Sequence, residues 1–205
     1  MIKLAPWPEI DKKLQKALNA IPIPQRPDRW DGKTKIVTTF KRTVKRRGLE
    51  IQKNRCAWCT LPVGARGRRS MHRDHIAPKR KHPTWTFRSQ NIVISCEFCN
   101  GFNVKKDLET VKTKHRSYAK CDFFLVHPYF DNPPDHLEFV STDREMKILV
   151  KGKTDKGLWT IRELKLDDPG ATIERAKDAL YQKRLAELDA EDQKLLKAAV
   201  DKLGA

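Results

Sequence analysis

The chain has 205 residues, 39% hydrophobic and 34% charged, with five cysteines and a formal charge of +17. Such a balance excludes a disordered chain, since there is enough apolar material to bury one core. It also excludes a helical membrane span, because no apolar run approaches the ~20 residues needed to cross a bilayer. The charge is unevenly placed: residues 41–120 hold 21 Lys and Arg against 5 Asp and Glu, a net of +16, and the rest of the chain sums to +1. A localised basic surface attracts polyanions through counterion release, which points to nucleic acid as the partner. No basic amphipathic helix with an aromatic face is present in this segment, so a membrane surface is not the expected partner. The opening "MIKLAPWPEIDKK" lacks the continuous apolar core of a secretory signal. The expected location is therefore cytoplasmic, where cysteines serve as metal ligands before disulfides.

Residues 1–53 form an N-terminal arm and a basic helix. Leu14, Ala17 and Leu18 stand at helical spacing and predict a helix over residues 10–20. The segment "IPIPQRPDRW" is expected to be non-helical, since Pro22, Pro24 and Pro27 interrupt it. A helix rich in Lys and Arg is expected from 34 to 53. Residues 54–118 carry four of the cysteines and form the central unit. Residues 119–205 are a C-terminal extension that opens with "DFFLVHPYFDNPPDHLEFV", an apolar run followed by a proline loop. Two strand-like stretches, "MKILVKG" and "GLWTIRELKL", are expected to pair through a hairpin across residues 153–156. From 169 to 203 the pattern is helical, with Ile173, Leu180, Leu188, Leu195, Leu196 and Val200 as apolar positions. That stretch is a candidate docking face for a partner; the ordinary alternative is an amphipathic helix closing the protein's own core.

The cysteines fall into two pairs, Cys56-Ala-Trp-Cys59 and Cys96-Glu-Phe-Cys99, 36 residues apart. Two thiolates with two residues between them can turn onto one ion, and two such knuckles complete a tetrahedral zinc site. Four sulfur ligands leave no open position for substrate, so this zinc would be structural. A redox pair or a disulfide is the competing assignment. Cys121 is left over and is expected to act as a small buried hydrophobe.

Asp74, His75 and Asn91 lie between the knuckles, and Asn100 follows the last cysteine. The order "CAWC … RDHIAPK … SQNIVISC … CEFCN" resembles the HNH nuclease family over about residues 54–110. The resemblance implies an α+β fold built on a ββα-metal finger: two strands and a helix around one catalytic divalent ion, here flanked by helices and a small C-terminal hairpin. It also implies a DNA endonuclease. The chemistry of phosphodiester hydrolysis gives each residue a place. A neutral imidazole can take a proton from water near pH 7, which makes His75 the general base. A hard cation such as Mg²⁺ or Mn²⁺ prefers oxygen, which Asp74 and the Asn100 amide offer. By resemblance, Asn91 bonds the loop carrying His75. Arg66, Arg68, Arg69, Lys79, Arg80 and Lys81 are expected to grip backbone phosphates. Asn103 stands where many relatives carry a lysine, and Lys105 or Lys106 would replace that phosphate contact. His72, His82 and His115 are not assigned to the metal, although His72 is the first to test.

Each residue also has a plainer interpretation. Asp74 can pair with a neighbouring cation, His75 can be a packed imidazole, and Asn91 and Asn100 can cap turns. The rival functions are a non-catalytic, zinc-stabilised nucleic-acid-binding module and an RNA-directed nuclease. Outside the core, "MIKLAP", "HPYFDNPPDHLEF" and "TIERAKDAL" resemble the HNH subunit of Septu-type and retron-associated anti-phage systems. That kinship implies a partner ATPase of the ABC or SMC-like kind.

Overall fold

A computed structural model describes residues 1, 3–64, 69–101, 104–105, 107–140 and 148–202. The N-terminal part holds helices α1 (Lys12–Asn19), α2 (Arg26–Asp31) and α3 (Lys35–Ile51). Asp11 caps α1 by accepting from the amides of Lys13 and Leu14. The proline-rich segment departs from the sequence expectation: a 3₁₀ turn over Ile23–Gln25 leads directly into α2. Pro24 and Pro27 each fall in the first turn of their element. There the missing N–H has no helical partner to lose and the fixed φ suits the helix, so these prolines start helices where interior ones would break them.

Strands β1 (Met71–His75) and β2 (Ile92–Cys96) form an antiparallel hairpin in the register Met71↔Cys96, Arg73↔Ile94 and His75↔Ile92. Alternation places Arg73 and His75 on one face of β1, and His72 and Asp74 on the other. Helix α3 covers the first face. Its Gly48 lies so close to Ile94 that an added Cβ would fall 2.8 Å from that side chain. An apolar cluster of Leu18, Trp30, Val37, Phe40, Val44, Phe87 and Ile92 fills this side. The second face turns toward a larger cluster around Trp58, Ile76, Val93, Tyr118, Leu125 and Leu164.

Short strands β3 (Val111–Thr113) and β4 (Asp122–Phe123) pair next, followed by helix α4 (Pro133–His136). The C-terminal hairpin exists with different partners from those expected. Strand β6 (Leu149–Gly152) pairs with the upstream β5 (Leu137–Val140). "GLWTIRELKL" instead supplies most of helix α5 (Asp155–Glu163). Thr154 caps α5 through its hydroxyl to the Gly157 amide. At Gly157 a Cβ would collide with the His136 carbonyl, which lets the helix lie directly on the preceding chain. The final helical stretch is broken into α6 (Pro169–Glu187) and α7 (Ala190–Lys202). Ile173, Leu180 and Leu195 are half or more exposed, so these positions do not close the core. No helix among the described residues is long and apolar enough to cross a membrane.

Candidate active site and metal centre

The two cysteine knuckles meet. Cys56, Cys59, Cys96 and Cys99 are all buried, and their sulfurs lie within 4.8 Å of one another. A tetrahedron with Zn–S bonds of ~2.3 Å has S···S edges of about 3.8 Å. The Cys59–Cys96 separation is 3.8 Å. The first knuckle is tied down by the Cys56 amide on the Leu61 carbonyl and by Thr60, in left-handed backbone at φ 67°, on the Cys56 carbonyl. The second is tied by the Asn100 amide on the Cys96 carbonyl. Burial pushes the Cys56 thiol up, while hydrogen bonds within the cluster pull Cys59 and Cys96 down. Buried Lys105 and Arg175 lie within the electrostatic reach of these sulfurs. The donor set therefore suits a structural zinc ion, with cations at hand to offset the negative charge of a tetrathiolate centre.

His75 ends β1. Its Nε2 lies 3.0 Å from the Thr86 carbonyl. A carbonyl only accepts, so Nε2 carries the proton and Nδ1 keeps its lone pair, with no partner among the described residues. The Trp30 ring sits edge-on at 4.4 Å. Burial holds the imidazole pKa down at about 3, against the raising effect of the Thr86 bond. The ring is therefore neutral at physiological pH.

Asn91 is fully buried and ties together the segments that flank His75. Its Oδ1 accepts from the Ala77 amide at 2.7 Å, its Nδ2 donates to the carbonyls of Ala77 and Trp85, and its own carbonyl accepts from Ile76. Ile76 and Ala77 directly follow His75, and Trp85 precedes the residue that holds Nε2. Two residues outside the sequence-derived set complete the network. The Tyr118 hydroxyl donates to Asn91 Oδ1 at 2.8 Å. It also lies 3.1 Å from His127 Nε2, whose Nδ1 accepts from the Tyr129 amide. His127 thus donates to Tyr118 and Tyr118 to Asn91. The only sequence signal for His127 was its place in "HPYF"; Tyr118 had none.

The opposite face of β1 carries Asp74, 2% exposed. The Trp58 indole donates to one carboxylate oxygen at 2.7 Å, and the Lys105 ammonium holds the other at 2.7 Å while also reaching the His75 carbonyl at 2.8 Å. Burial pushes the Asp74 pKa up and the Lys105 pKa down, each countered by the other's charge. Lys105, expected at backbone phosphates, is thus 3% exposed and paired internally. Asn100 sits beside His72 on the same side as Asp74, its Nδ2 3.5 Å from His72 Nδ1. Its Oδ1 has no partner among the described residues. His72 is further linked through Ser70 to Glu97. A carboxylate and an amide oxygen are donors of the kind a hard divalent ion takes, whereas the His72 imidazole is not. A cation at Asp74 would have to displace the Lys105 ammonium.

The structure brings Asp74 and Asn100 to one side of β1 and places His75 on the other. Among the residues expected at phosphates, Arg80 and Lys81 are exposed. Lys79 is held by Asp31 at 2.7 Å, and Arg69 by Glu174 at 2.7 Å. Arg66, Arg68, Asn103 and Lys106 lie outside the described residues. Between β2 and β3 the described residues form turns, with the Lys105 amide on the Gly101 carbonyl; the helix that the resemblance implies falls partly outside the described residues. Cys121 is partly exposed and donates its thiol to the carbonyls of His115 and Ser117.

No family model matches the chain. The chain is similar to the Septu protein PtuB of Bacillus thuringiensis, 26% identical over 119 residues. The matched region is 58% of this chain and 39% of that protein, so the chain spans about two-fifths of its relative's length.

Proposed function

We propose that this protein is a metal-dependent nuclease of the HNH type that hydrolyses DNA phosphodiester bonds in anti-phage defence. The observation that carries the reading is the mounting of His75: a neutral imidazole, Nε2 bonded to Thr86, Nδ1 without a partner, on a loop pinned by Asn91. A base must hold its lone pair toward water at a fixed orientation, and this arrangement supplies both the tautomer and the orientation. His75 Nδ1 takes the proton from the attacking water. Asn91 holds the loop so that the ring does not swing as charge develops. By resemblance, Asp74 and Asn100 would hold Mg²⁺ or Mn²⁺ in place of the Lys105 ammonium, and the ion would supply charge relief at the leaving 3′ oxygen; because His75 lies across β1 from them, sharing one phosphate requires the end of β1 to turn. Arg80 and Lys81 grip the phosphate backbone, and the four cysteines hold a structural zinc.

The similarity to a Septu protein supports the defence role; a partner ATPase of the ABC or SMC-like kind is what the resemblance of the flanking motifs implies. A second reading, a binding module without catalysis, draws support from Asp74, both of whose oxygens are already engaged. Plasmid DNA incubated with the purified protein and Mg²⁺ or Mn²⁺, beside His75→Ala, separates the two. Nuclease function predicts cutting by the wild type and binding without cutting by the variant. Binding without cutting by both, with and without the partner, favours the second reading.

A further inference from the structure

The face of β1 that bears His75 also carries two cations without counter-ions among the described residues. Arg73 lies two residues before His75, and so on the same face, about 7 Å away along the strand. Lys41 comes from α3, which covers that face. Its Nζ is 5.3 Å from the centre of the Trp30 ring, the same ring that lies 4.4 Å from the His75 imidazole. Neither Lys41 nor Arg73 has a hydrogen bond or ion pair among the described residues, although both are partly buried. The nearby carboxylate, Asp31, is taken at both oxygens by Lys79, at 2.8 and 2.7 Å. Lys41 and Lys79 therefore share this one acid, and Lys79 holds it. Burial lowers the Lys41 pKa, and repulsion from Arg73 lowers it further.

Two half-buried like charges without a partner are costly to hold together, since each loses hydration and repels the other. A purely structural role would accept any apolar stem at these positions; what sets them apart is a net positive charge beside a free imidazole lone pair. An anion with two accessible oxygens relieves both costs at once, because Arg offers a planar fork and Lys a point charge. We propose that Lys41 and Arg73 form a phosphodiester clamp that seats one backbone phosphate of the nucleic acid beside His75. The choice of a phosphodiester rests on the nuclease reading above; the anion site itself rests on the charges.

The test uses the full chain in the His75→Ala background, which keeps the DNA intact, with binding of a short duplex followed by fluorescence anisotropy across a salt series. Each phosphate neutralised contributes ~0.9 to the slope of log K against log[salt]. Lys41→Gln with Arg73→Gln should lower that slope by about 0.9 and weaken binding roughly tenfold near 0.1 M salt. Arg73→Lys alone should keep the slope, which guards against a fold effect, and Lys194→Gln on exposed α7 should change nothing. Equal slopes for the parent and the double Gln variant would overturn the clamp. So would an equal loss in Arg73→Lys and Arg73→Gln, because charge would then not be what matters. Binding that depends on the clamp in a protein that never cuts would sink the nuclease reading and leave the clamp standing. Cutting unchanged at every DNA concentration in Lys41→Gln/Arg73→Gln with His75 intact would do the reverse.

Discussion

The two faces of strand β1 handle charge in opposite ways. On one, Asp74 and Lys105 are almost wholly buried and close on each other, with Trp58 completing the carboxylate. On the other, Arg73 and Lys41 have no counter-ion among the described residues and lie beside a neutral histidine. The first face is satisfied internally and, through Trp58, ties the first cysteine knuckle to the strand. The second is unsatisfied and awaits an anion. One residue of register therefore separates an acid paired internally from cations left unpaired among the described residues, because alternate side chains of a strand point to opposite sides.

Removing the four-sulfur ion breaks both faces together and should have the largest effect. The knuckles supply Trp58 to Asp74 and pin the β2 terminus, so Cys96→Ser or stripping of zinc should abolish cooperative unfolding, read by circular dichroism. Retention of a sharp melt after complete zinc loss would show that the apolar clusters suffice alone. Next in size is the buried pair. Lys105→Met leaves the Asp74 carboxylate without a cation and should cost about 3–5 kcal/mol in denaturant melts. Lys105→Met combined with Asp74→Asn should recover most of that loss, because the unpaired charge is then gone. Failure of the double variant to recover would show that the pair matters for more than charge balance.

Tyr118→Phe removes one donor from Asn91 while keeping the ring. The expected cost is about 1 kcal/mol of stability, with a larger fall in kcat than rise in KM, since the His75 loop loses definition. An unchanged kcat would make Tyr118 a packing residue only. The smallest effect is one of pH. The folded pKa of His75 lies near 3, below the ordinary value of 6.5. Between these values the unfolded chain binds more protons than the native state. The stabilising contribution is therefore complete above 6.5 and is lost as pH falls toward 3. Buried His127, also held low by burial, adds to it with the same sign. Denaturant midpoints for His75→Gln should show a shallower decline across this window than the wild type.

Much of this was legible in the sequence because spacing carried it. Two Cys-x-x-Cys knuckles predict a shared ion, and the four sulfurs do converge. The basic helix at residues 34–53 appears as α3 almost at its expected bounds. Elements whose signal was local composition were less legible. "GLWTIRELKL" alternates enough to suggest a strand, but Thr154 followed by Asp155 is a helix-start signal that outweighs it. Pro24 and Pro27 carry a breaker's signal by composition, and only their place at the start of the 3₁₀ turn and of α2 makes them helix starters. Residues linked only through space gave no sequence signal at all. Tyr118 is 27 residues from Asn91, and Lys105 is 31 from Asp74. A buried ion pair and a free cation look alike in a chain this basic; only burial separates Lys105 from Lys41.

The most direct test of the account is the protonation state of one ring. In zinc-loaded protein with ¹⁵N-labelled histidine, nuclear magnetic resonance across pH 4.5–8 should show His75 neutral throughout, its proton on Nε2 and Nδ1 bare. A ring that titrates near 6.5 would contradict the burial that holds it neutral, and one that carries its proton on Nδ1 would contradict a base oriented by Thr86 and the Asn91 loop.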